Sequence, residues 1–184
     1  MAYYCGQVTL LINLLGWARM HLDQIRYSPQ LFDLEPVVTD VLQTYATIAA
    51  SKGITINTSI QKNTLVYADR DMVALAVRNV LEDNAIKFTP TGGSIALACQ
   101  PGEAGTTVSI KDSGAGMPSQ VVEAIRAKQS SVEAGFGTNG EKGTGIGLGL
   151  VRDLLGQNGS TLNITSSPGE GTEIAFTLKG IAVE

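Results

Sequence analysis

The sequence predicts an α/β (α+β) two-layer sandwich, in which a mixed sheet is covered on one face by helices. Three observations lead there. Short stretches of alternating apolar and polar residues, suited to strands, are separated by two long runs of helical periodicity. Taken in chain order, these strands and helices imply one sheet with a helical layer against it. The composition, 43% hydrophobic and 16% charged, is that of a globular chain.

Residues 8–27 come first, where Leu10, Leu11, Leu14, Leu15, Trp17 and Met20 predict a helix with a wide apolar face. Ser28-Pro29 marks a break. A short strand is expected over 31–34. Asp33 or Glu35 then opens a helix near Pro36 that runs to Ser51, because proline is tolerated in a first turn. Gly53 ends it, and residues 54–60 alternate in strand fashion. Residues 69–87 read as a second long helix. Strands over 94–99 and 107–111 are joined by a glycine-containing turn over 101–105. A short helix over 119–128 lies inside a glycine-rich stretch. A helix over 146–158 and strands over 161–166 and 172–178 close the chain. There is no internal repeat and no low-complexity tract.

Size and charge narrow the function classes. A chain of 184 residues makes one domain with a short appendage, and it can bury a core without disulfide or metal staples. Its net charge of -4 gives no electrostatic reason to expect nucleic acid as a partner. The two cysteines, Cys5 and Cys99, match no metal-ligand spacing and are expected as buried free thiols, which suits a reducing cytoplasm. Residues 8–15 are apolar but too short to span a bilayer, and no basic leader precedes them. A soluble piece of a longer, membrane-bound receptor remains compatible with all of this.

Of the 21 glycines, many cluster between Gly114 and Gly149, and there the chemistry concentrates. Asp112-Ser-Gly114-Ala-Gly116 follows an apolar strand, so the carboxylate sits at a strand end where it can accept a hydrogen bond from a ligand amino group. In isolation the same residues make a plain turn. Gly143-Thr144-Gly145-Ile-Gly147-Leu148-Gly149 runs into an apolar helix, and backbone N–H groups at such a start form an anion site suited to polyphosphate. It lacks the Gly-Lys-Ser/Thr ending of a P-loop, and no strand leads into it as a dinucleotide fingerprint requires. The third piece is Asn79-Val-Leu-Glu-Asp-Asn84-Ala-Ile-Lys87-Phe88-Thr-Pro90. Amide oxygens low on a helix suit Mg²⁺, a lysine one turn on could reach phosphate and a phenylalanine could pack on a base; taken singly, each residue reads equally well as a polar edge, a solvated charge or core.

In order and spacing the three pieces resemble the sensor histidine kinase branch of the ATPase superfamily that also includes gyrase. Asn84-Ala-Ile-Lys87-Phe-Thr-Pro90 resembles its asparagine box, and Asp112-Ser-Gly114-Ala-Gly116 its first glycine box. Gly140-Glu-Lys-Gly143-Thr-Gly145-Ile-Gly147-Leu resembles the end of its lid and its second glycine box, with Phe136 placed like the lid phenylalanine. Residues 166–178 resemble its closing hairpin. The resemblance covers residues 32–178 and implies ATP and Mg²⁺ as ligands. It assigns Asn84, with Asn79, to Mg²⁺ and Lys87 to phosphate. Asp112 takes adenine, with Gly114, Gly116 and Phe88 around it. Gly143, Thr144, Gly145, Gly147 and Leu148 face the phosphates, and residues 117–142 form a mobile lid. It also implies a division of the chain: residues 1–30 as the end of a dimerisation helix plus linker, residues 31–184 as the ATP-binding catalytic domain. The implied activity is ATP-dependent phosphorylation of a histidine, followed by transfer to the receiver domain of a response regulator.

Two departures bear on function. The family spaces the two polar residues of the asparagine box four apart, whereas Asn79 and Asn84 are five apart. Five steps of an α-helix overshoot a full circle by about 140°, so both amides face one ion only if the helix carries a π-bulge; otherwise Asn79 is no site residue. The acceptor motif, a histidine followed by an acidic residue and then Arg-x-Pro, is absent. His21 is the only histidine, in a segment resembling the end of the second dimerisation helix. The acceptor is therefore expected on a histidine-bearing segment outside this sequence. Self-association would cover the apolar face of residues 8–20. Three other readings compete: a regulatory module that binds nucleotide without transfer, an ATPase, and a serine kinase of the anti-sigma-factor type, from which the lid end Gly140-Glu-Lys-Gly143-Thr-Gly145 points away. Hydrolysing relatives place a glutamate four residues before the magnesium asparagine, a position held here by Val80.

Overall fold

The computed structural model describes residues 27–127 and 147–180. The helix expected over 8–27, His21, Cys5, Phe136, Gly143, Thr144 and Gly145 lie outside those residues, as does most of the expected lid.

The chain opens with β1 (Gln30–Asp33) and then α1 (Leu34–Ser51). Asp33 caps α1, its carboxylate accepting from the N–H of Glu35, which satisfies one of the orphan donors of a first turn. Pro36 falls in that first turn, as expected. Gly53, at φ +69°, reverses the chain out of the helix, a conformation that costs glycine little. β2 (Thr55–Ile60) follows, then β3 (Leu65–Ala68), which the sequence reading did not anticipate. β3 pairs antiparallel with β1, Leu31 opposite Tyr67 and Phe32 opposite Val66, as a separate two-stranded ribbon. Its four residues are too few to show periodicity, and only the distant partner β1 makes them a strand.

Asp69 caps α2 (Arg70–Asn79) by accepting from the N–H groups of Asp71 and Met72, and its other carboxylate oxygen holds the N–H of Ser28. The single long helix expected over 69–87 is instead α2 running on into a π-helix (Val80–Ile86). β4 (Ser94–Gly102) and β5 (Gly105–Asp112) form a hairpin tighter than expected, with Gly102 opposite Gly105 across a two-residue turn. α3 (Ser119–Arg126), α4 (Gly147–Gln157), β6 (Asn163–Ser167) and β7 (Gly171–Leu178) complete the described chain.

The main sheet has the order β2-β4-β5-β7-β6. β2 runs parallel to β4 and the other neighbours are antiparallel, so the sheet is mixed, as predicted. One face is apolar across the register: Leu97, Ile110, Ile174 and Ile164 form one row, and Cys99, Val108 and Phe176 the next. Strand periodicity puts all of these on the side covered by α1, α2, the π-helix and α4, where they are almost fully buried. The opposite face, with Thr107, Ser109, Lys111, Glu173 and Thr177, is only half covered. One row of the apolar face is polar where the strands end. It runs Ile95, Asp112, Thr172, Ser166, and it positions the site.

Candidate nucleotide site

Asp112 is the last residue of β5 and its period sets it on the buried face, only 6% exposed. Its Oδ1 accepts from the N–H of Gly114 at 2.8 Å and of Thr172 at 3.2 Å. Burial pushes its carboxyl above the usual 3.8, and the two backbone hydrogen bonds pull the other way. Among the described residues no hydrogen bond reaches Oδ2, so one oxygen of a buried carboxylate is left for a ligand donor.

The loop after Asp112 is stitched to two other elements. The N–H of Ala115 donates to the carbonyl of Phe88 at 3.3 Å, and Gly169 donates to the carbonyl of Ala115 at 2.7 Å. A Cβ on Gly114 would stand 2.6 Å from the Phe88 carbonyl, and one on Gly116 (φ +66°) 1.9 Å from that of Ser167. The close approach these glycines permit is thus to the protein's own backbone, which is what brings the first glycine loop against the exit of the π-helix.

The sequence reading missed several contributors here. Gly171, at φ +86°, would put a Cβ 1.9 Å from the Asp112 carbonyl. The Ser166 hydroxyl accepts from Met117 N–H at 2.8 Å and donates to the Gly171 carbonyl at 2.9 Å. With that proton committed, the Thr172 hydroxyl is the donor in their 2.9 Å contact. Only the spacing of glycines in Pro168-Gly-Glu-Gly171 signals this hairpin in the sequence; Ser166 and Thr172 carry no local signal.

The π-helix supplies the other wall. A helix with i→i+5 hydrogen bonds takes more residues per turn than an α-helix, so residues five apart stand roughly one above the other. Asn84 comes back over the backbone of Asn79 in this way. The Asn84 side-chain amide donates to the Asn79 carbonyl at 3.1 Å, and the Asn79 amide donates to the Leu75 carbonyl at 2.8 Å. Each amide commits its nitrogen to the helix and keeps its oxygen. The Asn79 oxygen is buried without a partner, on a residue 1% exposed. Buried polar atoms are normally satisfied, so this oxygen has acceptor capacity left for a water or an ion. Two amide oxygens are hard donors of the sort Mg²⁺ accepts alongside water, so the residues present fit that ion.

One turn on, Lys87 and Phe88 are half-buried, with the Lys87 ammonium 5.8 Å from the centre of the Phe88 ring. Gly147 begins α4 and is buried, and Leu148 packs on the core. α4 lies against both α2 and the π-helix. The structure therefore ties the Asp112–Gly116 loop to Phe88, at the exit of the helical segment that carries Asn79, Asn84 and Lys87. A separate depression of about 250 Å³, lined by Ser28, Gln30, Asp69, Asp71, Met72, Leu75 and Leu154, contains none of them. Among the described residues no cluster of His, Cys, Asp and Glu could hold a metal, and no helix is long and apolar enough to cross a membrane.

The chain resembles known proteins in the same region. It is 31% identical over 164 residues to the sensor histidine kinase TmoS of Ectopseudomonas mendocina, covering 86% of this chain and 16% of that one. It is 34% identical over 145 residues to the sensor histidine kinase Hik2 of a Synechocystis strain, covering 75% of this chain and 33% of that one. It thus spans a third or less of these curated relatives. Full-length ShkA, solved in complex with AMPPNP, superimposes with a TM-score of 0.76 at 24% identity, over 96% of this chain and 37% of that one, which shows the fold. The sequence pattern of the histidine kinase-, DNA gyrase B- and HSP90-like ATPases matches residues 68–180, from the cap of α2 to the end of β7, and the chain belongs to that family.

Proposed function

We propose that this chain binds ATP with Mg²⁺ and is the catalytic domain of a two-component sensor histidine kinase. It would phosphorylate a histidine on a dimerisation segment outside this sequence. The observation that supports the reading is the π-helix, which engages the side-chain nitrogens of Asn79 and Asn84 and leaves their oxygens for an ion, while its exit is tied to the loop that follows the buried Asp112 carboxylate. Asp112 Oδ2 accepts from the adenine amino group, and Phe88 packs on the base. Lys87 reaches the phosphates, faced also by Gly143, Thr144 and Gly145, and by Gly147 and Leu148 at the start of α4. Asn84 and Asn79 hold Mg²⁺, which neutralises phosphate charge when bound. Phosphoryl transfer asks little of a protein beyond such positioning and electrostatic stabilisation, which these residues provide. The nucleophile would come from the partner histidine.

Several further parts belong to the same proposal. Residues 1–30 are the end of a dimerisation helix with its linker, and residues 31–184 are the catalytic domain, with Phe136 in a lid. The protein dimerises and passes its phosphoryl group to a receiver domain, in the cytoplasm where ATP is found. The ATPase alternative is disfavoured by what stands before Asn84. Val80 is buried, and the Glu82 carboxylate accepts from the Tyr45 hydroxyl at 2.6 Å, turned toward α1 rather than held for an attacking water.

Calorimetric titration with a non-hydrolysable ATP analogue, with and without Mg²⁺, tests the site. Magnesium-dependent binding that weakens about tenfold or more in Asp112→Asn is expected, since the variant offers an N–H where adenine offers another. Wild-type protein that binds no nucleotide would sink the reading. Radiolabel from γ-labelled ATP appearing on an added histidine-bearing segment would separate the kinase from a purely regulatory module.

A further inference from the structure

The carbonyls at the exit of the π-helix are accounted for one by one. Helix ends leave such groups unsatisfied unless something caps them. The carbonyl of Ala85 accepts from Thr89 N–H, and that of Phe88 from Ala115 N–H. Between them, the carbonyls of Ile86 and Lys87 both accept from the ammonium of Lys52, at 2.7 and 2.9 Å. Lys52 stands at the end of α1, more than thirty positions earlier in the chain. A positive charge at a helix C-terminus is favoured by the helix dipole as well as by the two hydrogen bonds.

A second tie comes from the same helix face. Tyr45 is seven residues before Lys52, two turns of α1, and the buried Ala49 lies between them. The Tyr45 hydroxyl donates to Glu82 inside the π-helix at 2.6 Å. α1 thus grips the π-helix in its middle and at its exit. A π turn has no intrinsic advantage over an α turn and persists where its surroundings demand it.

We propose that Tyr45 and Lys52 are positioning residues for the nucleotide site, holding the widened turn and its exit so that Asn84 and Lys87 stay aimed at the phosphates. Neither touches the ligand. This rests on the reading of the site as a Mg-ATP site, and its consequence is specific. Both residues brace the phosphate end directly, whereas Asp112 at the adenine end takes its own hydrogen bonds from Gly114 and Thr172 and meets the braced exit only through the contact of Ala115 with Phe88.

The test compares the full chain with Lys52→Met, Lys52→Arg and Tyr45→Phe, titrating each with Mg-AMPPNP by calorimetry and with adenosine by NMR. Lys52→Met should bind Mg-AMPPNP about tenfold more weakly, from the loss of two charge-assisted hydrogen bonds, and lose much less for adenosine. Lys52→Arg should recover most of the loss, and Tyr45→Phe should show a smaller loss of the same kind. Variants that bind Mg-AMPPNP like wild type overturn the proposal. Variants that lose adenosine and Mg-AMPPNP in equal proportion also overturn it, because that is what general destabilisation does. Wild-type protein that binds neither overturns the nucleotide reading itself, an outcome distinct from the other two.

Discussion

The side-chain nitrogen of Asn84 lies 3.1 Å from the backbone carbonyl of Asn79, five residues earlier. In a regular α-helix the two side chains would point about 140° apart. The π-helix over Val80–Ile86 absorbs the additional residue, so the Asn84 side chain still reaches the carbonyl of Asn79.

Removing that residue should therefore be tolerated. Deleting residue 83 shortens the segment to an α-helical spacing, and Mg-nucleotide binding should remain within about threefold of wild type, with helix content by circular dichroism unchanged. Inserting an alanine after Glu82 instead should abolish magnesium-dependent binding. If the deletion costs more than about tenfold in affinity, the alignment of Asn79 with Asn84 is not what the site uses.

Asp112 makes a prediction about pH. Its folded-state carboxyl is raised by burial above the unfolded value of 3.8, so its protonated form favours folding. That contribution is complete below 3.8 and is lost as pH rises through the folded value. Nucleotide-free Asp112→Asn keeps an oxygen to accept from Gly114 and Thr172 and carries no buried charge. The variant should gain stability relative to wild type between acid and neutral pH. Thermal melts from pH 3 to 7 check this, and a variant that loses ground as pH rises would contradict it.

The glycines divide into two groups. Gly116→Ala and Gly171→Ala each place a Cβ 1.9 Å from a carbonyl oxygen, at positive φ, and should each destabilise by at least about 2 kcal/mol. A Cβ on Gly156, inside α4, meets nothing within 4 Å. Gly156→Ala should stabilise by about 0.5 kcal/mol. Denaturant unfolding of the three variants reads the contrast directly.

Cys99 is buried in the sheet core, 2% exposed, and burial pushes its thiol from 9.0 up to about 12. With almost no thiolate and little access, it should resist maleimide at pH 8 in the folded protein and react once denatured. Its raised value stabilises the fold below pH 9.0, and that share is lost as pH climbs toward 12. Mass mapping of the labelled cysteines distinguishes Cys99 from Cys5. Rapid labelling of Cys99 under native conditions would mean the core opens there.

The sequence by itself determined the mixed α/β sandwich, most of its elements, and the residue types at the site. These are local matters: strand alternation put Ile95, Leu97 and Cys99 on one face, Asp33 or Glu35 announced a helix start, and Asp112-Ser-Gly-Ala-Gly marked a strand end. Tertiary structure decided the rest. The five-residue step from Asn79 to Asn84 left an α-helix and a π turn both open, and the choice between them depends on partners in α1 and the glycine loop, far away in sequence. β3 was illegible because four residues become a strand only beside β1. Ser166, Thr172, Tyr45 and Lys52 carry no motif. Each acts through a hydrogen bond across at least two elements or a hairpin, and such contacts exist only once the chain has brought their ends together.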